Sequence, residues 1–312
     1  IEAANALVDN LSPAQVARYG ADEAGISRLC ADFYNYEIDA AGRPGAPLGS
    51  HVNAHTAGGL SEGGYLGFAE VQYVHMPLPG ESLVAFLSDG AFEEQRGGDW
   101  AERWWRAEDC GLVTPIMILN GRRIEQRTEI AQDGGVGWLS NYLEVNGFDP
   151  IAIDGRDPAA FVWAILEAER RLDDATAKIR DGRSAYPVKL PFVIAQTEKG
   201  FGFPGAGTNR AHNLPLDGSP RIDEAARASF NDAARRLFVS KGDLAAAQGV
   251  FAAHDSQGRV KERDNPLATR RPAPPVLPPS PSIAVGRVLS PMAAMDAWVV
   301  EFAKANPSLR FR

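Results

Sequence analysis

An α/β fold, built on an open, mainly parallel sheet with helices on both faces, is what this 312-residue sequence predicts. Four apolar runs carry the prediction: residues 82–90 (SLVAFLSDG), 114–121 (TPIMILNG), 148–155 (FDPIAIDG) and 190–200 (LPFVIAQTEKG). They recur at roughly 30-residue spacing, lack strict apolar/polar alternation and each ends in a polar turn, as strands buried on both faces do. Helical patterns lie between them, which makes the units βαβ, with right-handed crossovers.

In chain order, a glycine cluster at 58–67 precedes a predicted helix over 65–75. After the first strand, 99–107 reads as a short helix, and 137–146 as another behind a glycine pair. Residues 157–180 form a long helical pattern with Pro158 near its start, where proline is tolerated. Further on, 224–240 reads as a surface helix rich in Ala and Arg, 244–253 as a second, and 290–305 has helical periodicity. Between the last two, Pro272, Pro274, Pro275, Pro278, Pro279 and Pro281 predict an extended, semi-rigid spacer. The expected organisation is a cofactor module over 1–220, a helical extension over 221–269, a Pro-rich linker over 270–285, and the start of a truncated second domain over 286–312. Residue 1 is Ile, so both ends read as cut points.

A net charge of −8 argues against a nucleic-acid partner and leaves anionic ligands to locally placed groups. Cys30 and Cys110 are too few for a disulfide framework or a Cys-based zinc site. No run approaches a membrane span, and no basic-then-apolar signal opens the chain, so the expected location is the cytoplasm.

In open parallel sheets ligands bind beyond the carboxyl ends of the strands. Asp89 and Asn120 come directly after two of these strands and would place two oxygen donors within ångströms of each other, a pair that suits Mg²⁺ beside a phosphate. Asp-Gly and Asn-Gly are also ordinary turn sequences. Gly63 and Gly64, within the glycine cluster, let backbone N–H groups approach a phosphate or simply allow close packing. Residues 200–205 (GFGFPG) match G-x-G-x-x-G, but the next ten residues (AGTNRAHNLP) do not open a helix, so the segment reads as a glycine-rich loop carrying Lys199. His51 and His55 precede the glycine cluster, and His212 comes 13 residues after Lys199; such loop histidines either bind a sugar phosphate and move protons or are solvated surface residues. Zincin, CxxC, nucleophile-elbow and Walker A patterns are absent.

These residues also form an ordered series. SDG, with Asp89 lying 31 residues before Asn120, resembles the GDG-to-N signature of thiamine diphosphate enzymes. GSHV (49–52) with SEGGYLG (61–67) resembles SHV…HEGGELGY of the phosphoketolases, and TPIMILNGRRI (114–124) resembles their LPILHLNGYKI. TEKGFGF (197–203), RAHNLPL (210–216) and NPSLRFR (306–312) resemble further stretches of the same family in the same order. The resemblance implies a thiamin diphosphate-binding fold and a lyase that cleaves a ketose phosphate with inorganic phosphate to acetyl phosphate and an aldose phosphate. A divergent transketolase-like enzyme and a non-catalytic assembly module are the alternatives. It further implies Mg²⁺ held by Asp89, Asn120 and the main-chain oxygen of Arg122, and cofactor contacts from Gly63, Gly64, Gly90 and Glu93. His51, Lys199 and His212 would face the reacting atoms. A pyrimidine-binding domain and a homo-oligomer complete the implied assembly. Ser61, Ser88 and Glu198 depart from the family pattern.

Overall fold

The computed structural model describes residues 13–20, 22–32, 82–94, 105–107, 110–258, 274–279 and 286–307, with the single residues 11, 40, 264 and 284. Two short helices, α1 (Pro13–Arg18) and α2 (Glu23–Asp32), pack through Tyr19 and Leu29, with Leu11 completing this small cluster.

The predicted sheet is present: β1 (Leu83–Ser88), β2 (Val113–Leu119), β3 (Phe148–Asp154) and β4 (Leu190–Gln196), all parallel, in the order β1-β2-β4-β3. α3 (Asp89–Glu94) begins directly after β1, α4 (Glu129–Gln132) and α5 (Val136–Val145) lie between β2 and β3, and α6 (Pro158–Arg180) carries the chain from β3 to β4. The central strands explain the absence of apolar/polar alternation. Met117, Leu119, Leu190, Phe192 and Ile194 face one core with Leu139 and Leu143 of α5. Ile116, Val193 and Ala195 face the other, with Ala164 and Ala168 of α6. Both faces of β2 and β4 are therefore dry, and small alanines let α6 lie close to the sheet. Asp157 caps α6, its side chain accepting from the Ala159 N–H at 2.9 Å, with Pro158 in the first turn.

Four expectations change. Asp89 opens a helix rather than a turn, because Phe92 of α3 is buried edge-on against Tyr142, ring centroids 5.7 Å apart. Residues 105–107, the described end of the helix predicted over 99–107, are not helical. The helix predicted over 224–240 stops early: α7 (Glu224–Ala234) tightens into a 3₁₀ turn at Arg235–Leu237 before α8 (Lys241–Asp255) begins. Finally, the proline segment, expected as a semi-rigid spacer, is anchored at one point where it is described. Asn306, at the end of α9 (Pro291–Ala305), accepts from the Val276 N–H at 2.8 Å and donates to the Val276 carbonyl at 2.9 Å. The predicted helix over 65–75 lies outside the described residues. Among the described residues no helix is long and apolar enough to cross a membrane.

Candidate functional site

Strand register assembles the site. Ser88 lies opposite Ile118, and Leu119 opposite Gln196, so Asp89, Asn120 and Lys199 all leave the sheet at the same end, from the adjacent strands β1, β2 and β4. The pairing continues one step further, the Thr197 N–H donating to the Leu119 carbonyl at 3.0 Å.

Asp89 is fully buried. Its carboxylate accepts from the Gly90 N–H at 2.8 Å and from the Gly121 N–H at 2.7 Å, which ties the end of β1 to the end of β2. Gly121 reaches this position with φ of +75°, a backbone region that suits glycine. Burial pushes the Asp89 carboxyl up to about 6; the two N–H groups oppose that shift and the nearby Glu93 adds to it. Asn120 turns its amide oxygen back to accept the Arg122 N–H at 3.0 Å. The Arg122 carbonyl lies 3.9 Å from where a side chain at Gly90 would begin, so this oxygen adjoins the Asp89-Gly90 step. A carboxylate, an amide oxygen and a main-chain carbonyl are hard donors of the kind that hold Mg²⁺. Among the described residues, no group of three or more His, Cys, Asp and Glu is gathered so as to hold a metal ion.

Glu93 makes its own set of hydrogen bonds next to this donor set. One oxygen accepts from Arg123 Nε and, at 3.1 Å, from the Glu129 N–H; the other accepts from the Ile130 N–H at 3.1 Å. It therefore caps α4 together with Thr128, whose hydroxyl accepts from the Ala131 N–H at 3.2 Å.

Lys199 and His212, 13 positions apart in sequence, meet at 3.2 Å through Nζ and Nδ1. The ammonium also donates to the Arg123 carbonyl at 2.7 Å. Burial holds the Lys199 ammonium below the usual lysine range, with Asp89 acting against that shift and Arg122 with it. His212 ends a 3₁₀ turn, Asn209–His212, that rests on Gly200: a β-carbon there would come within 2.7 Å of the Ala211 β-carbon, and φ is +76°. A second clasp went unseen in the sequence. Asn209 accepts from Arg122 Nη1 at 2.7 Å and donates to the Glu125 carbonyl, joining the 3₁₀ turn to the loop after β2. Asn209 matches no motif, Arg123 lies in a motif that gives it no role, and only the folded loops bring them into the site.

Thus Asp89, Gly90, Asn120, Arg122, Lys199 and His212 converge, Glu93 holds the neighbouring Arg123, and His51, Gly63 and Gly64 lie outside the described residues. A cavity of about 540 Å³ lies along the ends of β3 and β4, lined in part by Asp154, Arg156, Thr197 and Glu198.

Comparisons with known proteins give the family of the chain. The chain is 28% identical over 216 residues to a probable phosphoketolase of Clostridium acetobutylicum, covering 62% of this chain and 25% of that protein. It is 31% identical over 214 residues to a probable phosphoketolase of Streptomyces coelicolor, covering 62% and 25%, and 29% identical over 222 residues to one of Schizosaccharomyces pombe, covering 67% and 26%. The chain spans about a quarter of the length of these relatives. A solved transketolase mutant from Pichia stipitis overlaps 70% of this chain and 32% of its own at 17% identity, with a TM-score of 0.33, too partial to carry an argument. The profile of the XFP N-terminal domain matches residues 2–238, through both halves of the site, and the chain belongs to the phosphoketolase family.

Proposed function

We propose that this chain is the diphosphate-binding part of a thiamine diphosphate- and Mg²⁺-dependent lyase. The reaction cleaves a ketose phosphate with inorganic phosphate to acetyl phosphate, an aldose phosphate and water. The observation that carries the reading is the meeting, at one end of adjacent parallel strands, of a buried carboxylate and a Lys–His pair, in a chain of this family.

The donors fit the metal. Asp89, the Asn120 amide oxygen and the Arg122 carbonyl supply three hard oxygens, and a buried carboxylate whose proton is held only up to about pH 6 is ionised at neutral pH. Gly90, without a side chain, leaves room for a diphosphate beside the ion. When bound, thiamine diphosphate supplies the electron sink for carbon–carbon cleavage. The residues of this chain orient and protonate. Lys199, held by the Arg123 carbonyl, presents a cation to the substrate's oxygens, and His212 accepts or returns a proton through the ring nitrogen not engaged with Lys199. His51 is assigned the same proton-transfer chemistry, and Gly63 and Gly64 the cofactor contact, on the family resemblance. Glu93 serves the site by holding Arg123. The aminopyrimidine would be activated from a pyrimidine-binding domain outside this chain, within a homo-oligomer, and the enzyme would act in the cytoplasm.

In the protein expressed at full length, xylulose 5-phosphate and phosphate are expected to yield acetyl phosphate. Glycolaldehyde transfer to an aldose acceptor without acetyl phosphate would instead identify a transketolase-type enzyme. Asp89→Ala is expected to abolish Mg²⁺-dependent binding of thiamine diphosphate in calorimetric titration; retained affinity sinks the site assignment.

A further inference from the structure

Three arginines around the site are paired with carboxylates: Arg123 with Glu93, Arg156 with Asp154 at 2.9 Å, and Arg210 with Asp217 at 2.7 Å. Arg122, like Arg127 across the same loop, is not. Its side chain is half-buried, and its guanidinium donates Nη1 to a neutral amide, Oδ1 of Asn209, at 2.7 Å. No carboxylate of a described residue lies within ion-pair distance of it. Lys199 meets His212 of the same 3₁₀ turn whose Asn209 holds Arg122, and it is likewise bonded to a carbonyl and an imidazole rather than to an acid. Asp89, whose charge acts on Lys199, is occupied by two backbone N–H groups.

Two cations and a histidine stand here beside one carboxylate, itself already engaged by backbone N–H groups, and an anionic ligand lowers the cost of gathering them. The guanidinium fork matches a tetrahedral oxyanion through two parallel N–H donors. With Nη1 tied to Asn209, the Nε–Nη2 edge has no protein partner among the described residues. Asn209 in turn is anchored to the Glu125 carbonyl, so the fork is held before any ligand arrives.

We propose that the Arg122 side chain is an oxyanion-recognition residue that binds a phosphate group together with Lys199, Asn209 fixing its orientation. Arg122 then has two separable roles, a main-chain oxygen toward the metal and a side chain toward phosphate. Phosphate recognition stands without the lyase activity; only the naming of that phosphate as a substrate's rests on the function proposed for the chain.

The test is calorimetry on the full-length protein in phosphate-free buffer containing Mg²⁺, in three arms: inorganic phosphate, xylulose 5-phosphate, and thiamine diphosphate against thiamine monophosphate. Arg122→Gln is expected to weaken at least one arm by about tenfold, the weight of a charge-assisted hydrogen bond. Arg122→Lys, which keeps the charge but loses the fork, should recover part of it. The arm affected identifies the source of the phosphate, and Mg²⁺ affinity should stay within about twofold because the main-chain oxygen remains. Arg122→Gln leaving every arm within about twofold of wild type, or a wild-type protein that binds none of these phosphates, overturns the proposal. A loss shared equally by all arms and accompanied by a lower melting temperature is a folding defect and also overturns it. Phosphate binding lost in Arg122→Gln, in a protein that makes no acetyl phosphate, supports the site and sinks the lyase reading.

Discussion

At Asp89, burial and hydrogen bonding act on one carboxyl in opposite directions. Burial is the larger, so the group titrates at about 6 instead of 3.8. In the metal-free protein the folded state holds this proton more tightly than the unfolded chain does. By linkage, its contribution to stability is greatest below pH 4 and falls as pH rises from about 4 to about 6, by roughly 3 kcal/mol in all. Denaturant titrations of wild type and Asp89→Asn across that window measure the difference, since other titrating groups are common to both. The variant is expected to gain on wild type as pH rises; a difference that does not change with pH contradicts the burial argument. A charge kept in such a place at neutral pH is the mark of a residue held for binding rather than for stability.

Among the elements, α4 is the one that cannot stand by itself. Four residues are too few to form an isolated helix, and its free N–H groups are taken by Thr128 and by Glu93 from α3. The same carboxylate holds Arg123, whose carbonyl holds Lys199. Glu93→Ala is therefore expected to cost about 2–4 kcal/mol, because it leaves buried donors and a guanidinium without their acceptor. Glu93→Gln should recover part of that. Chemical denaturation reads the cost, and a change below about 0.5 kcal/mol would mean that the brace does not matter. Activity of the full-length Glu93→Gln protein should fall through kcat more than KM, since Lys199 is displaced from its working position while substrate contacts persist.

For the molecule as a whole, the sheet is one unit and the C-terminal segment another question. Asn306 is buried, and its amide closes on both backbone polar groups of Val276 and on the Phe302 carbonyl at 2.7 Å. That grip turns a proline-rich stretch from a spacer into a strap over the end of α9. Asn306→Ala removes all three bonds and is expected to expose the backbone near 274–279, seen as faster limited proteolysis there with little change in the stability of the sheet. Equal cleavage rates in the two proteins would show that the strap is held by other contacts. Because the chain covers about a quarter of its relatives' length, the proposed activity is measured on the protein expressed at full length.

Strand and crossover were legible in the residues because burial on both faces leaves a signature that neighbours in sequence share: β2 and β4 are apolar in nearly every position. Asp89, Asn120 and Lys199 could be named because they come after those strands, and a parallel sheet brings strand ends together whatever the loops do. The end of the 224–240 helix, the helical start at Asp89 and the docking of the proline segment were not legible. The helical start at Asp89 and the docking are decided by contacts with residues far away in the chain, Phe92 on Tyr142 and Asn306 on Val276. The same holds for the partners within the site. Local pattern determined the fold class, the positions of its strands' ends and the candidate acids and bases. Tertiary structure alone decided which of them are paired, because a hydrogen bond between Arg122 and Asn209, 87 residues apart, depends on loop geometry that no local sequence period encodes.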